Sequence, residues 1–551
     1  MPVNNKQLDA IIISDNSLNS LSKTNPLKLH IDGKPASIQL IINLIENKGI
    51  VSKSIKGDNM SSWASAPKLN GIFLYYYLTL HKFYVELIDN YYKEKNQLSQ
   101  YLDHKQTVII ISTTFIFNKK ELKKLVDDIR SISPNSKIIA GGPFIYSSYK
   151  FLKKSYNPEY ESTLAKKDYL FLTVDNEPLI DLYIVSQRGE SILIQAMNKL
   201  KMNQPIDDIA NTAFLKNNCW HFNKRVDEPL NKRIINIDWK KLPNKFFHSG
   251  VIPIQSSKGC FNQCFFCNFV QNRHLNWIKP IDQIITELKD VYNRGIRYVW
   301  FVDDNFRLGK PDINLLCRRI IDENININWM SFIRADVLKN VDHDLLRRSG
   351  CIEVQIGLES ADKRILKNMN KKLHPEIYKE IIPKLLLAGI NCSCYLIIGF
   401  PGETNETISN TVDFIENISP HSAEGSLSWS IFPFILTPLS PIYEPEARIN
   451  YNLEGYMSKW SHLTMNSDDA LNHVLEVFYK IKNSSSIYRE DNIDILNNLS
   501  PTFRKVILKA RHKLSQISFK KKMLTNEIYN YLDKIVSNFS DDFYTTNSKN
   551  G

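Results

Sequence analysis

Between residues 250 and 435 the chain repeats one pattern: a short apolar run closes on polar residues, and a longer amphipathic stretch follows. Val251-Ile252-Pro253-Ile254-Gln255 ends at Ser256-Ser257-Lys258-Gly259. Residues 297–302 end in Asp303-Asp304-Asn305, 328–333 in Arg334-Ala335-Asp336 and 352–358 in Glu359-Ser360. Residues 392–398 close on Gly399-Phe400-Pro401-Gly402-Glu403. Helical spacing separates the runs: Ile281, Ile284, Ile285, Leu288 and Val291 follow Pro280, and further helices are predicted over 313–322 and 405–417. A last strand near 427–432 brings the count to six strand–helix units. Such alternation predicts a parallel barrel, complete or partial, with its chemistry at the carboxyl ends of the strands. The polar residues sit at those ends.

The first strand end carries Cys260, Cys264 and Cys267, spaced C-x3-C-x2-C with no fourth cysteine close behind. A four-iron cluster ordinarily takes four cysteine ligands. Three leave one position open, which separates catalytic from structural metal sites. A second reading adds His274 to make a Cys3His zinc knuckle, or a binding protein with a structural metal. Phe261, Phe265, Phe266 and Phe269 line the loop and would shield a cluster from water, which a knuckle rarely needs. Each strand end also has a plain reading. Asp303-Asp304 and Glu359-Ser360 could cap helices, Gly-Phe-Pro-Gly could be a turn, and Arg334 could be a surface ion-pair partner.

The front of the chain, residues 1–240, reads as α/β. Residues 71–80 are predicted helical and 83–88 extended. Residues 107–112 form a buried strand, 118–131 an amphipathic helix with Leu122, Leu125, Val126 and Ile129 on one face, and 137–143 a strand and turn. That unit is of the doubly wound, Rossmann-like type. A proline-rich connector, residues 437–446, leads to a mostly helical third part, 436–551. Its Tyr451, Tyr456, Trp460, His462 and Met465 are expected to pack a cap, and its basic stretch 504–522 to be a solvated face. The net charge of +12 is spread over 551 residues and reads as compositional bias rather than a nucleic-acid footprint, with a basic face for an acidic peptide or RNA as the second reading. Eight cysteines and the absence of a membrane-length apolar run or a secretory start predict a cytoplasmic protein.

Taken together, the cysteine spacing and the strand ends over residues 250–435 resemble the radical S-adenosylmethionine (SAM) enzymes. The resemblance implies a (βα)6 partial TIM barrel over 245–435, with Cys260, Cys264 and Cys267 holding a [4Fe-4S] cluster whose open iron is chelated by SAM. It places Phe266 along the adenine, and Arg334 near the SAM carboxylate. Glu359 and Ser360 are placed at the ribose and methionine, and Gly399 and Pro401 in the turn beside the adenine. Where many members have Gly-Gly-Glu, this chain has Asp303-Asp304-Asn305, and either aspartate would bind the amino group. That variant resembles the subgroup with a cobalamin-binding-type domain in front of the barrel, as do Ser112-Thr113-Thr114, Gly141-Gly142 and Gly189-Glu190-Ser191. The Asp-x-His-x-x-Gly motif is absent, since Asp103 and His104 are adjacent, so cobalamin stays open.

The implied activity is reductive cleavage of SAM to a 5′-deoxyadenosyl radical that modifies an unactivated carbon. With cobalamin this would be methyl transfer in natural-product or peptide modification; without it, epimerisation, cyclisation or rearrangement. Epimerisation needs a hydrogen donor, for which Cys351, Cys392 and Cys394 are candidates. Expected partners are a small-molecule or peptide substrate and an electron donor such as flavodoxin or ferredoxin, and neither membrane nor nucleic acid.

Overall fold

The structure is a computed structural model that describes residues 8–16, 27–46, 61–102, 107–227, 236–269, 276–309, 312–521 and 523–537. Asp103, His104 and His274 lie outside the described residues. The chain forms two compact units, residues 1–20 with 67–242 and residues 21–66 with 243–551.

The first unit alternates β1 (Ala10–Ile13), α1 (Leu69–Leu80), β2 (Val85–Ile88), α2 (Tyr91–Tyr101), β3 (Val108–Ser112), α3 (Lys119–Ile132), β4 (Ile138–Gly141), α4 (Pro143–Lys154), β5 (Leu182–Ile184) and α5 (Glu190–Lys201). The hairpin β6 (Thr212–Lys216) and β7 (Cys219–Phe222) completes it. One sheet runs in the order β2-β1-β3-β4-β5-β6-β7, parallel through β5 and antiparallel beyond. β1 and β3 are buried at every position, which explains their unbroken apolar sequence where an alternating one would mark a half-exposed strand. α3 starts where the Asn118 side chain accepts the Glu121 amide, and its predicted apolar face is buried. β1 is flanked by β2 on one side and β3 on the other, so the order reverses there. The crevice beyond the carboxyl ends of β1 and β3 is thus a topological switch point.

The second unit is built on seven strands: β8 (Val251–Ile254), β9 (Tyr298–Phe301), β10 (Asn328–Phe332), β11 (Cys351–Glu359), β12 (Asn391–Ile398), β13 (Leu427–Pro433) and the short β14 (Ser485–Ser486). They lie side by side in chain order and every neighbour is parallel. The intervening helices include α6 (Ile281–Asn293), α7 (Ile313–Asp322), α8 (Pro375–Leu387) and α9 (Asn405–Asn417), and beyond β13 come α10 (Ser467–Lys480), α11 (Pro501–Lys520) and α12 (Thr525–Ser537). Side chains alternate between the faces of a strand. One face carries Val354, Ile356, Leu358, Cys392, Cys394 and Leu396, all sealed from solvent. On β13 the same face puts Trp429 against Phe478 of α10 and His512 of α11. Cys392 and Cys394 therefore belong to the helix-covered core, and burial pushes the Cys394 thiol up to about 12. The other face is half-open, as Trp300, Phe332, Glu353, Tyr395 and Ser428 are only partly buried.

Residues 27–46, placed in the front domain by the sequence pattern, pack in the second unit. Ile38, Ile41, Ile42 and Ile45 of the helix Ile38–Glu46 share a core with Ile495, Leu499, Phe503, Ile507 and Leu514. Asp491 fastens this core. It accepts the Ile38 amide at 2.7 Å and a two-pronged contact from Arg511 at 2.6 and 3.0 Å. The basic stretch of α11 is thus not all a solvated face, since Arg504 and Arg511 are both buried. Arg504 reaches Ser426 at 3.1 Å and the Leu496 carbonyl at 3.2 Å. No helix among the described residues is long and apolar enough to cross a membrane.

Candidate functional site

The cysteine loop leaves the sheet directly after β8 and is cinched at its base. Ser257 and Lys258 pair with Ile278 and Trp277 in a two-step antiparallel ladder, so the loop is a closed excursion with a fixed root. Within it the Cys267 amide turns back to the Cys264 carbonyl at 3.1 Å. Cys264 is buried and Cys260 and Cys267 are half-buried, and none joins a disulfide. The far side is tied to the segment after β11, where the Phe265 amide meets the Met369 carbonyl at 2.9 Å and Asn370 donates to the Gln263 carbonyl at 2.8 Å.

The two aspartates after β9 do different work. Both oxygens of Asp303 are occupied: Oδ1 by the Ser256 amide at 2.7 Å, and Oδ2 by the Ser256 and Ser257 hydroxyls and the Arg307 amide. Burial raises its carboxyl, against those donors. Asp303 thereby staples the root of the loop. Asp304 accepts the Gly259 amide at 2.8 Å through Oδ2 and is half-buried. Arg307 completes the staple, donating to the Lys279 carbonyl at 2.6 Å and pairing with Asp312.

Behind the loop stands a buried ionic group that the sequence does not announce. Lys371 Nζ meets Glu359 Oε1 at 2.8 Å and lies 5.8 Å from the centre of the Phe266 ring, while its carbonyl accepts Arg334 at 3.2 Å. Arg334 also grips Asp336 at 3.0 and 3.2 Å. Burial pushes the Cys264 thiol up, and Lys371 and Arg334 pull it back toward thiolate. Gly357 makes room for the group. A Cβ there would stand 2.4 Å from Glu359 Oε1 and 2.9 Å from Lys371 Nζ. Cys264, Phe266, Arg334 and Glu359 are thus brought together. Lys371 sits in an Asn-Lys-Lys run that looks like surface, and only the long-range contact reveals it.

Ser360 turns elsewhere. It is fully buried, and its hydroxyl meets Thr411 of α9 at 3.3 Å and accepts the Asp362 amide at 3.1 Å. Gly399 and Pro401 form a braced turn after β12. Gly399 (φ +96°) donates its amide to Glu403 and receives His462 on its carbonyl at 3.0 Å, and Asn368 donates to the Pro401 carbonyl at 3.0 Å. Trp460 packs on the same turn and donates to the Phe434 carbonyl at 2.9 Å, so Trp460 serves packing.

At the switch point of the first unit, Asn70 bridges the two strand ends, donating to the Ser14 carbonyl at 3.0 Å and Ser112 Oγ at 2.8 Å. Ser112 and Thr114 share a hydrogen bond of 3.1 Å, and Thr113 donates to the Gly141 carbonyl at 2.9 Å. The crevice is lined by hydroxyls and amides, with no histidine among these residues.

The donor set suits a cluster with an open position: three thiols on one rooted loop, with the charges of Lys371 and Arg334 acting on the buried one. Among the described residues no three His, Cys, Asp or Glu side chains are gathered about a common point.

Residues 254–415 match the radical SAM superfamily. An uncharacterized methyltransferase of Pyrococcus horikoshii is 24% identical over 331 residues, covering 58% of this chain and 66% of that protein. A tRNA-2-methylthio-N(6)-dimethylallyladenosine synthase of Treponema denticola is 26% identical over 278 residues, covering 46% and 57%. The chain thus spans less than two thirds of the length of these curated relatives. Among solved structures, the cobalamin-dependent S-adenosylmethionine radical enzyme OxsB, with aqua-cobalamin and SAM bound, superimposes with a TM-score of 0.56 at 14% identity, covering 97% of this chain and 85% of that one. That likeness is one of fold.

Proposed function

We infer that this chain, which carries a radical SAM domain over residues 254–415, is an enzyme that uses SAM and an iron–sulfur cluster to modify an unactivated carbon. The observation that carries the reading is the rooted loop of three thiols backed by the Arg334–Lys371–Glu359 group. Cys260, Cys264 and Cys267 would hold a [4Fe-4S] cluster. When bound, cluster and SAM together supply one-electron cleavage of a carbon–sulfur bond and hence radical chemistry.

The chain's own residues position and shield that chemistry. Asp303 is fully engaged by the loop root, so Asp304, with one oxygen on Gly259 and the other without a partner among the described residues, is the aspartate for the SAM amino group. Arg334 and Glu359 would face the rest of SAM, with Phe266 against its base. Gly399 and Pro401 would bound the base from the β12 turn. Ser360 would act through packing under α9.

The reaction favoured is methyl transfer assisted by cobalamin in the first unit. Support comes from the likeness of fold to OxsB, the switch-point crevice, and the methyltransferase name of the Pyrococcus relative. A small-molecule or peptide substrate and a flavodoxin- or ferredoxin-type donor complete the proposal, with the protein placed in the cytoplasm. Anaerobic purification and reconstitution test it. Iron and sulfide with absorption near 400 nm and SAM cleavage are expected, and cobalamin should co-purify. A colourless protein that binds zinc would overturn the whole reading, while a clustered protein that takes up no cobalamin would leave epimerisation, cyclisation or rearrangement.

A further inference from the structure

The half-open face of the second sheet carries charge that nothing described so far uses. Register puts Trp300 in line with Met330 and Glu353, and Gln355 in line with Ser393 and Ser428. A parallel strand buried on both faces should be apolar on both. Here one face is apolar and sealed, while the other mixes the buried Met330, Gln355 and Ser393 with the partly open Trp300, Phe332, Glu353, Tyr395 and Ser428, a combination of apolar lining and a few polar groups that a binding site uses.

Two opposite charges meet this interior without pairing with each other. Ser393 donates to Glu353 Oε1 at 2.7 Å. Arg489, just beyond β14, donates through Nη2 to the Tyr395 hydroxyl, and its guanidinium lies 5.0 Å from the centre of the Trp300 ring. Nη1 of Arg489 is sealed from solvent and has no hydrogen-bond partner among the described residues. An unmet buried donor of this kind is costly, and a ligand oxygen would relieve it. No ion pair joins Arg489 to Glu353 among the described residues, although the Arg489 charge is near enough to act on the Glu353 carboxyl. Along β11 the same face leads from Glu353 through Gln355 and Gly357 to Glu359, beside the cysteine loop.

We propose that this face binds a small zwitterion of the α-amino acid class, its carboxylate on Arg489 and its ammonium on Glu353. Trp300, Phe332 and Tyr395 flank the remainder of the molecule. Burial raises the Glu353 carboxyl, and Ser393, Arg489, Gln355 and Trp63 oppose this. The inference rests on the radical SAM reading for its chemistry, but not for its binding.

The test is thermal melting of the full-length, anaerobically reconstituted protein with each free L-amino acid at millimolar concentration. At least one should raise the melting temperature, whereas its decarboxylated amine and its N-acetyl derivative should not. Glu353→Gln and Arg489→Lys should each weaken the response by about 10- to 100-fold, as loss of a charged hydrogen bond does. The inference falls if no amino acid shifts the melt, if the amine and N-acetyl forms match the parent, or if both variants respond like the wild type. Should a variant not fold, judged by its own melt, the wild-type comparison of amino acid with amine and N-acetyl form decides alone. SAM cleavage measured without any amino acid separates the two readings. Cleavage without zwitterion binding removes only this inference, and zwitterion binding without a cluster removes only the earlier one.

Discussion

Glu403 Oε2 accepts the Gly399 amide at 2.5 Å, while its Oε1, sealed from solvent, has no hydrogen-bond partner among the described residues. Burial pushes this carboxyl from its ordinary 4.5 up to about 8, against the Gly399 amide. The folded protein therefore holds a proton that the unfolded chain releases. That contribution is complete below pH 4.5 and is lost as pH rises toward 8. In urea unfolding from pH 5.5 to 8, Glu403→Gln should gain on the wild type as pH rises. A constant difference between the two across that range would show that Glu403 is ionised in the folded state.

Lys371 and Glu359 form a pair with side chains only 5% and 9% exposed. Removing one partner of such a pair strands the other charge, so Lys371→Met should cost about 3–5 kcal/mol. The double variant Lys371→Met with Glu359→Gln should cost less than the sum of the two. A double-mutant cycle by denaturant unfolding reads the coupling directly.

Gly399 combines a left-handed backbone with a closed environment. A Cβ there would lie 2.6 Å from Ala470 Cβ and 2.7 Å from Trp460. Gly399→Ala should therefore destabilise by about 2–5 kcal/mol, from strain and overpacking together. Gly295 is the control. It has φ +84° but nothing within 4 Å, so Gly295→Ala should cost only about 1–2 kcal/mol. Equal losses would mean that the β12 turn yields to the added methyl.

Cysteine substitution separates ligands from core. Cys260→Ala, Cys264→Ala and Cys267→Ala should each drop iron and sulfide after anaerobic reconstitution toward background. Cys392→Ser and Cys394→Ser should keep the cluster and lose stability instead, because both thiols are enclosed by the helix-covered face. A zinc knuckle would show the opposite metal in the parent protein.

Local pattern carried the six strands between residues 251 and 433 and the helices α6, α7 and α9, because each has its own signal. Residues 405–417 read as a helix from periodicity, and the structure adds the reason for its start, a capping box between Thr404 and Thr407. The alternation of β and α segments likewise announced a parallel sheet, and its sequential order follows from short crossovers of one hand. Contacts between distant segments leave no such mark. Nothing in residues 38–46 says that their apolar face meets α11 rather than β1, since an amphipathic helix states that it needs a partner and not which one. Lys371 is illegible for the same reason. The division of labour between Asp303 and Asp304 depends on which backbone amides the loop root presents, and two identical side chains in sequence cannot differ until the chain has folded around them.

Asp491 receives the amide of Ile38 across 453 positions of chain. During synthesis the helix Ile38–Glu46 is made long before the partners that cover it. At roughly 5–20 residues per second the delay is on the order of tens of seconds. For that interval an isoleucine-rich stripe has no native cover, while the βα segments between can already assemble. The nascent chain is thus exposed to aggregation at one early helix until residues 491–532 arrive. A shortened gene product ending before Asp491 would stay in that state permanently.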